Sequence, residues 1–424
     1  MLAPTPASPE SAGMSTAALD RLEAHLKSRY LDSGRFPGTQ LLIYRRGKIV
    51  HSTVQGFADL ERKAPMKDDT IFRIYSMTKP ITSVAFMMLV EEGKVALDEP
   101  VAKYIPEWKN LGVFVAGTAP AFLTRPPTRP MQIVDLLRHT SGLTYGFQQR
   151  SNVDAAYREK KIGEVIKAGT LDGMIEDLAK IPLEFSPGEA WNYSVSTDVL
   201  GYLVGKISGQ PFEQFLKERI FKPLGMNDTD FFVPADKAHR FAACYSADPQ
   251  GGFNPLAAER KGTLTLQDDP TTSTFLSPPS LISGGGGLCS TAADYLTFCR
   301  ALLNGGELGG VRLLGPKTLK LMASNHLPGG VDLPAMSRSM FAEAAYNGIG
   351  FGLGFAVTMH PAQTLIAGSP GEFNWGGAAT TSFFIDPAEE LITIFMTQVL
   401  PSSAYPLRRE LRTMVYAAIT ESNL

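Results

Sequence analysis

Ser76 and Lys79, in the stretch "RIYSMTKPIT" (residues 73–82), form the only Ser-x-x-Lys pair in the 424-residue chain. At that spacing on a helix the two side chains share one face, one turn apart. Such a pair can do nucleophilic chemistry. A serine hydroxyl must lose its proton to attack a carbonyl, and a neighbouring amine can take it when burial disfavours its charged form. Pro80 lacks an N–H and has a fixed φ, so it suits a helix start. The segment after it, "ITSVAFMMLVEEGK", is apolar nearly all round from Val84 to Val90, as a buried helix is. Ser76 is therefore expected at the N-terminus of a central buried helix, where backbone N–H groups lack intrahelical partners. Read alone, the pair equally fits a helix cap followed by a solvated lysine; the rest of the chain has to decide.

Other chemistries lack their residues. No G-x-S-x-G is present, which argues against a nucleophile elbow. No H-E-x-x-H occurs and the six histidines (25, 51, 139, 239, 326, 360) are scattered singly, so no metal site is expected. No Walker A or dinucleotide fingerprint follows a strand, and "SGGGGL" (283–288) has no Lys-Ser/Thr after it. That run is read as backbone packed closely beside a strand, and no cofactor is implied. What remains is serine chemistry without histidine.

The elements that must position Ser76 can be read on either side of it. A helix from Ser15 to about Ser28, with Leu19, Leu22 and Leu26 at helical spacing, precedes a hairpin. The hairpin's runs are Gln40–Tyr44 and Lys48–Val54, around a turn at Arg46-Gly47. A Pro-rich stretch (117–130) reads as a long surface loop. Helical patterns follow at Met131–Leu137, Leu171–Ala179, Thr197–Ile207 and Phe212–Ile220, with strand-like runs nearly absent between 130 and 225. Strands return in "EFNWGGAATTSFFID" and "ELITIFMTQV", joined by a turn, and Leu407, Leu411, Val415 and Ile419 mark a C-terminal amphipathic helix. The expected architecture is one α/β domain built from both ends (1–100 and 276–424) with a mostly helical domain (101–275) between them.

Composition narrows the partners. A formal net charge of −2 gives no electrostatic reason to expect nucleic acid or an anionic membrane. Apolar runs fall short of the ~18 residues a membrane span needs. The N-terminal "MLAPTPASPESAGMS" has no basic region followed by an apolar one, so a cytoplasmic location is expected. Cys244, Cys289 and Cys299 show no C-x-x-C spacing and are expected to be buried free thiols. The sequence says nothing of oligomeric state.

With its flanks, "FRIYSMTKPITSVAFMMLVEEGKVALDEPV" resembles the serine β-lactamase and penicillin-recognising superfamily, and more closely the family VIII carboxylesterases. "LLRHTSGLTYGF" (136–147), the long segment 185–231 around "WNYSV", and "SGGGGLCSTAADYLTFC" (283–299) are similar to signatures of that family. The resemblance implies a class C β-lactamase-like fold: an antiparallel sheet flanked by helices, an inserted helical domain, and a site in the cleft between. It implies Ser76 as nucleophile, Lys79 as its partner and Tyr193 as the second-motif tyrosine that moves the serine proton to the leaving group. In place of the third motif's Lys-Thr-Gly stands "WGGA", so Trp375 replaces the cation. By that alignment the backbone N–H groups of Ser76 and Ala378 form an oxyanion hole, and Gly376 and Gly377 let substrate lie against the strand. Tyr145 and Phe147 are placed along the substrate cleft. The second motif ends in Val195 where β-lactamases have asparagine, so that amide contact is missing or supplied elsewhere.

Losing the third-motif cation removes the point-charge partner for the carboxylate of β-lactams and favours neutral esters. With reference pKa values near 10 for both groups, Lys79 and Tyr193 are expected to share one proton. His139 and Asp198 are read as structural, the second as an acid suited to a helix's first turn. The expected activity is a serine carboxylesterase on short-chain acyl esters, with weak β-lactam hydrolysis as a side reaction. The rivals are an acyltransferase using the same residues and a non-catalytic binding protein of the same fold.

Overall fold

The computed structural model describes residues 5–164, 169–247, 263–338 and 347–424. The two ends of the chain build an eight-stranded antiparallel sheet. The N-terminal part supplies β1 (Gly38–Arg45), β2 (Lys48–Asp59) and β3 (Ala64–Pro65). The C-terminal part supplies β4 (Ile349–Phe351), β5 (Ala356–Thr358), β6 (Phe373–Gly376), β7 (Ser382–Asp386) and β8 (Leu391–Met396). Their spatial order is β4-β5-β6-β7-β8-β1-β2-β3. The seam between the ends is the β8–β1 pair, running from Gln40 opposite Met396 to Arg45 opposite Leu391. Arg46 and Gly47 both take positive φ (48° and 83°) in the tight β1–β2 turn, as a two-residue hairpin loop requires.

Both faces of this sheet are covered, which is why the central strands β1, β7 and β8 are buried at every position. Leu41, Ile43, Leu391 and Phe395 face the outer helices α1 (Thr16–Leu26) and α5 (Leu407–Ala417). The serine expected at the first boundary does cap α1: Ser15 Oγ accepts the Ala18 N–H. Leu42, Ile392 and Ile394 face the other way, into a core shared with α2 (Thr78–Glu91), whose residues Thr78 to Leu89 are all buried. Against α2 lies α3 (Ser196–Ser208), and α4 (Ala292–Leu303) rests on β8. Among the described residues no strand falls between 130 and 225.

Two expectations change. The Pro-rich stretch is no mere loop: Val113–Thr118 and Ala121–Arg125 form a β-hairpin. Pro120 sits in its turn and Pro126, Pro127 and Pro130 lie beyond its last strand residue, so proline never interrupts the ladder. The run "EFNWGGAATTSFFID" is two strands, β6 and β7, because Gly377–Thr381 forms a turn in which Gly377 N–H donates to the Thr381 carbonyl at 2.8 Å. The middle of the chain also returns to the C-terminal part, through a small sheet of Cys244–Ser246, Thr265–Asp268 and Val399–Leu400. All three cysteines are buried and free. Among the described residues no helix is long and apolar enough to cross a membrane.

Candidate active site

Ser76 lies in a single 3-10 turn, Tyr75–Met77, that feeds directly into α2. Tyr75 holds φ at 43°, a left-handed conformation unusual outside glycine, of the kind that stores about 1–3 kcal/mol where a site over-determines it. Packing supplies that determination. The two-residue strand Phe72–Arg73 pairs with Cys289–Ser290, Ile74 N–H donates to the Leu288 carbonyl, and Tyr295 OH on α4 donates to the Met77 carbonyl.

Three side chains converge. Tyr193 OH donates to Ser76 Oγ at 2.6 Å, and Lys79 Nζ lies 3.2 Å from the same oxygen. Lys79 Nζ also donates to the Gly285 carbonyl at 2.6 Å. Position 195 carries valine, and the polar partner of Lys79 besides Ser76 is this backbone carbonyl. Lys79 is fully enclosed, over the faces of Tyr193 and Tyr145 (4.6 and 5.3 Å to the ring centroids). Burial pulls its pKa down to about 7, against an opposing pull from the Asp198 carboxylate. Burial also pushes the Tyr193 phenol well above its ordinary value, opposed by its hydrogen bonds to Ser76 and Trp375. The low-dielectric site therefore favours neutral forms on both. Of the two ways to share one proton, amine plus phenol prevails over ammonium plus phenolate.

The segment carrying Tyr193 is held by the "HTSGL" turn. Asn192 N–H donates to the His139 carbonyl, Asn192 Nδ2 to the Leu143 carbonyl, and Gln148 Nε2 to the Tyr193 carbonyl. His139 is buried, with Nδ1 3.2 Å from Ser194 Oγ, and burial holds its imidazole well below its usual pKa, hence neutral. Its structural reading stands.

Asp198 does more than favour a helix dipole. Its Oδ1 accepts Ser283 Oγ–H at 2.6 Å and Gly285 N–H at 3.0 Å. It therefore fixes the loop whose next polar atom, the Gly285 carbonyl, holds Lys79. A side chain on Gly285 would place Cβ 2.5 Å from Asp198 Oδ2. The glycine run thus does allow close packing, and it also carries part of the site. Nothing in the sequence pairs Asp198 with a loop some 85 positions on.

On the opposite side stands the end of β6. Trp375 is buried, 5.5 Å from Tyr193 and 5.4 Å from Phe351 between ring centroids. Gly377 abuts the nucleophile's turn: a Cβ there would lie 2.4 Å from the Ile74 carbonyl oxygen. Ala378 follows it, partly exposed. Tyr145 packs 5.2 Å from Tyr193, and Phe147 stacks on Tyr145 at 4.8 Å, half-buried. Arg408 of α5, to which no local sequence signal points, donates through Nη2 to the Gly377 and Thr381 carbonyls at 3.0 and 3.1 Å.

The family model described as Beta-lactamase matches residues 19–417. Protein Rv1367c of Mycobacterium tuberculosis is 37% identical over 87% of this chain and 88% of its own length. Esterase EstB of Burkholderia gladioli is 32% identical over 90% of this chain and 91% of its own. Among solved structures, EstCE1, a hydrolase with promiscuous acyltransferase activity, superposes with a TM-score of 0.76 at 26% identity, covering 96% of this chain and 99% of that one.

Proposed function

Because the chain belongs to the Beta-lactamase family, and within the penicillin-recognising serine hydrolases to the family VIII esterases, we propose that it is a serine carboxylesterase acting on short-chain acyl esters through a Ser76 acyl-enzyme. One observation carries the reading: a single serine oxygen touches both a buried amine of lowered pKa and a buried phenol. Ser76 Oγ bonds the ester carbon as its proton passes to the neutral Lys79 amine. The carbonyl oxygen, now an oxyanion, is received by the N–H groups of Ser76 and Ala378. A donor of that kind is worth roughly 3–4 kcal/mol in the transition state. Collapse breaks the bond to the alcohol oxygen, which takes the Tyr193 phenolic proton, and the Lys79 ammonium re-protonates the phenolate. Water then repeats the sequence against the acyl carbon, releasing the acid and restoring Ser76.

Tyr145, Phe147 and Trp375 give the acyl and alcohol groups apolar, uncharged walls, which supports neutral esters over carboxylate-bearing β-lactams. Weak β-lactam hydrolysis follows as a side reaction of the shared acylation step. A second reading is favoured by the similarity to EstCE1, a hydrolase with promiscuous acyltransferase activity: transfer of the acyl group to an alcohol or amine in place of water. Intact mass of protein quenched during turnover of p-nitrophenyl butyrate tests both. We expect a butyryl adduct on Ser76, none on a Ser76→Ala variant, and hydrolysis lost with it. An adduct that persists until an alcohol is added would favour the transferase; an active Ser76→Ala enzyme would sink the mechanism.

A further inference from the structure

The Gly377 carbonyl and the Ala378 N–H are two ends of one planar peptide group. Whatever fixes the carbonyl therefore fixes the direction of the N–H. The carbonyl accepts two donors, Thr380 N–H at 3.2 Å and Arg408 Nη2 at 3.0 Å. The same Nη2 also reaches the Thr381 carbonyl, which accepts Gly377 N–H. The guanidinium thus staples both sides of the β6–β7 turn.

Arg408 comes from α5, on the face of β6 opposite the Trp375 side chain. It reaches the peptide only because position 376 has no side chain: a Cβ there would lie 2.2 Å from Arg408 Nη2. From the site side, a Cβ on Gly377 would lie 2.4 Å from the Ile74 carbonyl, so the peptide is wedged between the nucleophile's turn and a half-buried cation. Desolvation lowers the Arg408 pKa only to about 10, so it stays charged at neutral pH. A charged donor is roughly twice as strong as a neutral one, and a hydrogen bond to an amide carbonyl strengthens the amide's own N–H as a donor.

We propose that Arg408 is the positioning residue of the oxyanion hole, orienting and polarising the Gly377–Ala378 peptide so that the Ala378 N–H meets the developing oxyanion. This rests on the reading of Ser76 as nucleophile and Ala378 N–H as donor. It also explains a pair of adjacent glycines after Trp375 without substrate contact: one admits the guanidinium, the other admits the turn of Ser76.

The test is difference infrared spectroscopy of the acyl-enzyme from p-nitrophenyl butyrate, with kcat/KM and boronic-acid affinity measured alongside. Oxyanion-hole donors draw the acyl carbonyl stretch to lower frequency. In Arg408→Gln we expect that stretch to rise, and kcat/KM and boronate affinity to fall together by about tenfold or more, short of the loss of a whole donor. Arg408→Lys should restore part of each. Gly376→Ala, whose methyl takes the guanidinium's place, should raise the stretch as well and serves if the Gln variant does not fold. A wild-type enzyme without an acyl adduct would overturn the Ser76 reading and this inference with it. A wild-type adduct whose carbonyl frequency neither variant moves would overturn this inference alone, leaving Arg408 a structural clamp.

Discussion

At the scale of single residues, the site depends on a lysine stripped of water. An ordinary lysine is an ammonium at neutral pH and cannot accept the serine's proton; burial brings Lys79 to about 7. The sign of the pH dependence follows. Below that value Lys79 binds a proton, the base is lost, and kcat/KM should fall as pH falls through about 7. Asp198 opposes burial by favouring the charged amine. Removing its charge in Asp198→Asn should let burial act unopposed and move the acid limb down by about 1 pH unit. The glycine loop also loses its carboxylate acceptor, so maximal kcat should drop as well. A pH–rate profile of both enzymes on a neutral ester checks this. An acid limb that stays put or moves up would show that Lys79 is not the group being titrated.

At the scale of elements, two short segments do most of the positioning, and they differ in how far sequence exposed them. The Ser76–Lys79 face and the all-round apolar α2 were legible because helix periodicity and a proline near the start are local signals. So was the β1–β2 hairpin, from its turn. Hidden in the sequence were the contacts closed across long separations: Asp198 to Gly285, and Arg408 to Gly377. An acid in a helix's first turn and an arginine on an amphipathic helix both have ordinary explanations, and nothing local distinguishes a partner far along the chain. The Val113–Arg125 hairpin was hidden for another reason: prolines that bracket a strand look, in composition, like prolines that break one. The end of β6 offers a direct test of element placement. Gly377→Ala would put Cβ 2.2 Å from Thr381 Oγ1 and 2.4 Å from the Ile74 carbonyl. The turn must then shift away from Ser76, and a displacement near 1 Å at a reacting centre costs on the order of 10²-fold in rate. We expect kcat to fall by about that factor while a serine-reactive phosphonate, assayed to completion, still labels Ser76 stoichiometrically. Unchanged kcat would mean that the end of β6 does not set the catalytic geometry.

At the scale of the molecule, the two ends of the chain close one sheet and hold each other through buried charge. Arg45 at the end of β1 is fully enclosed. It donates to the Ala12 and Gly13 carbonyls, to the Glu421 carbonyl, and pairs with Glu389 at 2.5 Å. The termini meet at the same place. Ile49 N–H donates to the Thr5 carbonyl just past the β1–β2 turn, while Arg46 within that turn binds Glu421 and Asn423. Covalent order and spatial order therefore disagree: β8 and β1 are neighbours in the sheet and nearly a full chain apart in sequence. A circular permutant joining residue 424 to residue 5 through a short Gly/Ser linker, and opened at Ala119–Pro120, would reverse this. The new ends fall at the tip of the Val113–Arg125 hairpin, whose Val115 and Leu123 are exposed and which supplies no residue to the site. Chain ends are tolerated at such exposed tips when the original termini lie close together. The β8–β1 pair would then close across roughly 70 residues instead of about 350, and since closure cost grows with the logarithm of loop length this lowers it by about 1.4 kcal/mol. The permutant should melt within a few degrees of the parent, retain ester turnover to within a few-fold, and refold faster. Retained stability with lost turnover would show that the site depends on strain carried through the hairpin; loss of folding would show that the sheet needs its ends free to dock last.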